Sequence, residues 1–102
     1  MILYNVTIII DDAIEEEWTR YIRNTYIPDI MATGSFVSNR MLRVLDSPNE
    51  GLTYCIQFVA ENLSKYQAYQ NEFIHPIQAE HQKHFENKFV SFSTIMEYVD
   101  TI

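Results

Sequence analysis

Residues Ile2–Ile10 read ILYNVTIII, nine residues with only Asn5 and Thr7 polar. Such a β-branched run, apolar on both alternating faces, predicts a strand in the middle of a sheet with both faces covered. The fold must therefore supply something on each side of it. No basic residue precedes the run, and Asp11 and Asp12 come directly after it. It is read as a strand, not as a signal peptide.

The next segment supplies one cover. Asp12 has the form of an N-cap with Glu15 completing a capping box. Ile14, Trp18, Tyr21, Ile22 and Thr25 then recur every three or four residues, one face of a helix. Glu15, Glu16 and Glu17 fall in its first turns, where the helix dipole favours negative charge. Gly34 is the expected C′ residue. Phe36–Leu45 is predicted as the second strand, Asp46–Gly51 as a turn, and Leu52–Ala60 as the third strand. Asn62 or Ser64 caps a long second helix to about Asn87, and Phe89–Val99 is the fourth strand.

The order β-α-β-β-α-β is that of a ferredoxin-like α+β domain over residues 1–102: a four-stranded antiparallel sheet with two helices on one face. The helices cover one face only. The alternating sets of strands one, three and four leave the other face mixed but too apolar for open solvent. A second copy packed face to face satisfies it, so a homodimer through the sheet face is expected.

Pro28 interrupts the first helix pattern. It lacks an N–H and clashes with the carbonyl of Asn24, and it disfavours α geometry at Ile27. Two overlapping readings are open. A kink opens a cleft between helix and sheet near Tyr26, or Pro28 begins a second short helix with Asp29 in its first turn.

Charge narrows the partners. The 14 acidic and 7 basic residues give a net charge of −7, and the basic ones are scattered from Arg20 to Lys88. Nucleic acid and anionic membrane surfaces are not expected partners, and no apolar run approaches a membrane span. Cys55 is the single cysteine, which points to a reducing, cytoplasmic setting.

Candidate chemistry centres on His81. Phe73, Ile77, His81 and Phe85 are spaced by four, which turns His81 toward the sheet as a possible general base, ligand or core histidine. Tyr26 is the companion hydrogen-bond donor. Trp18, Tyr26 and Tyr54, with His81, form an aromatic ligand-binding lining. Tyr66 and Tyr69 are further aromatic candidates, and for all five residues plain core is the commoner reading of aromatics at helical spacing. Arg40 and Arg43 point to opposite faces of strand two. The one on a covered face needs a carboxylate, from Asp29, Glu97 or a ligand, and Arg40 is the named candidate. His81 and His84 lie three apart without a placed third ligand, so no metal is assigned. His75 is expected at the surface. With only Gly34 and Gly51 there is no glycine-rich phosphate loop, and GxSxG, CxxC and HExxH are absent. No cofactor is expected.

The stretches YIPDIMATGSF (Tyr26–Phe36), GLTYCIQF (Gly51–Phe58), and YQNEF with PIQAEHQKHF between Tyr69 and Phe85 resemble a family of small bacterial proteins. That family is classed as a domain of unknown function, number 4286, in the dimeric α/β-barrel superfamily. The family pattern tends to place histidine where this chain has Tyr26. The resemblance implies two ferredoxin-like units packed sheet to sheet, with a small-molecule pocket between helices and sheet. The superfamily includes cofactor-free monooxygenases, haem-degrading enzymes and isomerases. Three readings of function are thus carried: a binding protein for a small apolar or aromatic ligand, a cofactor-free monooxygenase- or isomerase-like enzyme using His81 and Tyr26, or a structural or regulatory dimer. The last expects a filled helix–sheet interface and an unperturbed His81.

Overall fold

In a computed structural model, which describes residues 1–100, strands β1 (Ile2–Ile10), β2 (Ser38–Arg43), β3 (Leu52–Ala60) and β4 (Phe89–Glu97) form one antiparallel sheet. Its order is β2-β3-β1-β4, the ferredoxin-like arrangement. Helical residues form α1 (Glu15–Tyr21), α2 (Ile27–Met31), α3 (Leu63–Glu72) and α4 (Ile74–His84). Among the described residues no helix is long and apolar enough to cross a membrane.

The register separates the two faces. Tyr4, Val6, Ile8 and Ile10 stand opposite Phe58, Ile56, Tyr54 and Leu52 on one side, and opposite Ile95, Ser93, Ser91 and Phe89 on the other. This is the helix-covered face. Tyr4, Phe36, Phe58 and Tyr69 pack there as an aromatic block. The opposite face is bare: Phe92 is 58% exposed, Met96 43% and Leu42 42%. Hydrogen bonds cross its middle. Arg40 Nε donates to Gln57 Oε1 at 2.6 Å, Gln57 Nε2 to Asn5 Oδ1 at 3.1 Å, and Asn5 Nδ2 to Thr7 Oγ1 at 3.0 Å.

Several boundaries differ from expectation. Asp11, not Asp12, caps the first helical turn, its carboxylate accepting from the Ala13 N–H at 2.9 Å. Glu15 forms no capping box, because its carboxylate is engaged by Tyr54. Strand β2 starts at Ser38, since Phe36 turns inward onto Tyr4 and Tyr69. The second helix is two, broken at Phe73 (φ −120°, ψ −27°). Pro76 thereby falls in the first turn of α4, where a missing N–H leaves no bond unmade. Strand β4 ends at Glu97, two residues short of Val99.

Pro28 is accommodated by a widened turn. Residues Ile22–Tyr26 are a π-turn, with the Ile27 N–H reaching the Ile22 carbonyl. Ile27 keeps helical angles (φ −63°, ψ −49°), against the preference of a residue before proline. Pro28 becomes one of the first residues of α2, with Asp29 in the first turn. Pro28 thus begins a short helix, and the two readings overlap, since Tyr26 of the widened turn also lines a cleft against the sheet. Trp18, Ile22, Tyr26 and Ile30 are all buried, at intervals of four. On an α-helix each such step drifts by about 40°. The wider turn takes up that drift and keeps all four side chains over the sheet.

Candidate functional site

The site begins with Trp18, fully buried on α1. Its indole Nε1–H donates to Nε2 of His81 on α4 at 2.9 Å. An indole nitrogen can only donate, so Nε2 must be an acceptor. A neutral His81 then carries its proton on Nδ1. Burial, reinforced by His84, lowers the His81 pKa from its ordinary 6.5 to about 4. At neutral pH the ring is uncharged, and its one basic nitrogen is occupied.

Aromatic rings fix the imidazole. Phe89 stacks on it with centroids 4.0 Å apart and planes at 19°. Tyr21 lies parallel at 5.9 Å and Tyr26 is tilted at 5.4 Å. A protonated ring here would lose most of its hydration without a carboxylate in exchange, which is the cause of the low pKa.

His81 and Tyr26 both wall a cleft of about 410 Å³ between α4 and the sheet. Val6, Ile8 and Phe89 are its apolar floor, with Ser91, Gln78 and Gln82 at the polar margin. Among the described residues neither Nδ1 of His81 nor the Tyr26 hydroxyl has a hydrogen-bond partner, and neither is sealed off. Both residues line the cleft. Burial, with the nearby Tyr4, Tyr69 and Tyr21 hydroxyls, pushes the Tyr26 pKa well above 10. The cleft thus holds two neutral donors over apolar walls.

The residues expected in one pocket are distributed differently. Trp18 lines no opening; it holds His81 from behind. Tyr54 lies beyond Trp18, 5.0 Å between ring centroids, and its hydroxyl donates to Glu15 Oε2 at 2.7 Å. Arg40 is on the opposite, bare face, exposed and bonded to Gln57. Arg43 takes the helix-side position, 3.8 Å from Glu15 and not from Asp29 or Glu97. Tyr66 and Tyr69 are core, packed on Tyr4. His84 turns outward to Glu80 at 3.0 Å. Among the described residues no group of three or more His, Cys, Asp or Glu is placed to hold a metal. His75 is at the surface, as expected, yet it joins the cleft rim.

Phe89 and Ser91 are not marked as site residues by the sequence. Only the β1–β4 register, Ile10 opposite Phe89 and Ile8 opposite Ser91, brings them to the helix face beside His81. Glu15 has the sequence position of a helix-dipole residue, and nothing local marks its bond to Tyr54.

A family model described as Domain of unknown function (DUF4286) matches residues 1–99. The chain belongs to the DUF4286 family. No curated protein matches it. Among solved structures this DUF4286 protein is similar to SnoaB, a cofactor-independent oxygenase from Streptomyces nogalater. The TM-score is 0.68 at 13% identity, covering 99% of this chain and 95% of that one. It is similar to a dimeric ferredoxin-like protein from an uncultured marine organism, at 0.68 and 12%, covering 99% and 96%. It also resembles the heme-degrader MhuD from Mycobacterium tuberculosis, with two hemes in its active site, at 0.69 and 17%, covering 100% and 99%. At such identities the likeness is one of fold.

Proposed function

We propose that this DUF4286 protein is a cytoplasmic homodimer that binds a small, largely apolar or aromatic molecule in the α4–sheet cleft. The observation that carries the reading is the Trp18–His81 hydrogen bond. It commits Nε2 and leaves Nδ1–H, with the Tyr26 hydroxyl, as donors toward an acceptor oxygen such as a carbonyl. Pockets of this kind pair apolar walls with a few placed polar groups. The bare sheet face supports the dimer, as does the fold shared with a protein described as a dimeric ferredoxin-like protein. The cleft and the shifted His81 weigh against a purely structural dimer.

A second reading has a specific basis. Two neutral donors on one carbonyl oxygen would stabilise negative charge on that oxygen, as in the enolate of a bound ketone whose proton has passed to solvent. That suits isomerase- or oxygenase-type chemistry, with His81 as a hydrogen-bond donor instead of the general base expected from sequence. The fold shared with a cofactor-independent oxygenase supports it by analogy alone.

Native mass spectrometry tests the proposal. The gently purified chain should run at twice 12.1 kDa and carry a small molecule released on denaturation. The double variant Tyr26→Phe/His81→Gln should lose that mass. A monomer contradicts the dimer, and an adduct unchanged in the double variant contradicts the site.

A further inference from the structure

On the far side of Trp18, a second cleft of about 550 Å³ opens between the π-turn–α2 segment and the β2 edge. Arg23 and Arg43 both line it. In a chain of net charge −7 with seven basic residues, two guanidinium groups in one cleft run against the composition. Their compensation is incomplete. Among the described residues Glu15 is the single carboxylate within ion-pair range of either, 3.8 Å from Arg43, and Arg23 has none. Glu15 Oε2 also already accepts from the Tyr54 hydroxyl at 2.7 Å.

The register explains the convergence. Arg43 stands opposite Tyr54 and Met41 opposite Ile56, so both point to the helix side. Arg23 belongs to the π-turn that hangs over this edge. Ile27, Met41 and the Tyr54 ring supply apolar wall beside the charges.

We propose that this cleft is a second ligand site, for a small organic carboxylate whose charged group meets Arg23 and Arg43 and whose apolar body lies on Ile27, Met41 and Tyr54. Guanidinium groups bind carboxylates through a planar fork of donors. The resident Arg43–Glu15 contact is long and half-exposed, and such pairs contribute little, so it does not compete strongly with an incoming anion. The apolar wall favours a carboxylate on a hydrocarbon frame over a free inorganic ion. This site is independent of the His81 cleft, because Trp18 and Tyr54 stand between the two.

The test is a ¹⁵N-detected titration of the full chain with sodium benzoate, following the Arg Nε–H signals. Benzamide serves as the uncharged isostere and inorganic phosphate as the bare anion. Saturable shifts at Arg23 and Arg43 with benzoate, absent with benzamide, are expected. Affinity should fall at least tenfold in Arg23→Gln, while Arg20→Gln, which alters an exposed pair with Glu16, should leave it unchanged. Among the described residues Arg23 makes no ion pair, and an unchanged backbone spectrum of its variant verifies that the fold is kept. The proposal is overturned by unsaturable shifts at millimolar benzoate, by equal binding of benzamide, by phosphate binding where benzoate does not, or by undiminished affinity in Arg23→Gln.

Discussion

Trp18 and His81 are 63 residues apart in sequence and joined by a buried 2.9 Å hydrogen bond from indole Nε1–H to imidazole Nε2. This bond occupies Nε2 of His81, so the proton of the neutral ring sits on Nδ1. It also ties the first helical arm to the second across the sheet.

Folding stability should fall as pH drops from about 6.5 to about 4. In the folded chain His81 resists protonation down to about 4, whereas the unfolded chain takes up the proton near 6.5. The unfolded state binds more protons in that window, so stability rises with pH across it and is flat above. The slope from His81 is about 1.4 kcal/mol per pH unit, roughly 3 kcal/mol in all. Urea denaturation at pH 7.5, 6, 5 and 4.5 reads it. His81→Gln should flatten the profile by about that slope.

Trp18→Phe should destabilise by about 2–5 kcal/mol. It leaves a gap where the indole was and an imidazole acceptor without its donor. Thermal unfolding followed by circular dichroism measures the loss. A change below about 1 kcal/mol would mean that the hydrogen bond and its packing contribute little.

Tyr26→Phe removes only a hydroxyl that has no hydrogen-bond partner among the described residues. Stability should change by less than about 1 kcal/mol, while affinity for an aromatic ketone such as acetophenone falls about tenfold. Calorimetric titration beside urea denaturation separates the two effects. Equal affinity in the variant would remove Tyr26 from the site.

The strands are the legible part of this chain. Ile2–Ile10 and Leu52–Ala60 have the same boundaries in sequence and structure, because dense β-branched runs bounded by acidic and turn residues have few alternatives. The helix break at Phe73 is hidden because Tyr66, Tyr69, Phe73 and Ile77 keep helical spacing across it. Phe36 looks like a strand residue because its apolarity does not say which layer it enters. The gathering of Tyr26, His81 and Phe89 depends on contacts between distant elements. Local spacing places His81 toward the sheet. It cannot tell that Trp18 claims Nε2, or that Trp18 and Tyr54 divide the expected pocket into two clefts.

Pro28→Ala should alter stability by less than about 1 kcal/mol. A proline inside a regular α-helix costs roughly 3 kcal/mol against alanine. Here it begins α2 after a widened turn, and the four-residue spacing from Trp18 to Ile30 demands that turn with or without proline. Urea denaturation of the variant checks this. A gain near 3 kcal/mol on substitution would show that proline alone forces the π-turn.

The most direct test of the donor role is long-range ¹H–¹⁵N NMR of the imidazole nitrogens of His81. A neutral ring protonated on Nδ1 is expected, with Nε2 bare and accepting from the Trp18 indole, unchanged from pH 8 down to about 5. A ring protonated on Nε2, or one that titrates near 6.5, would contradict the donor role and return His81 to that of a base.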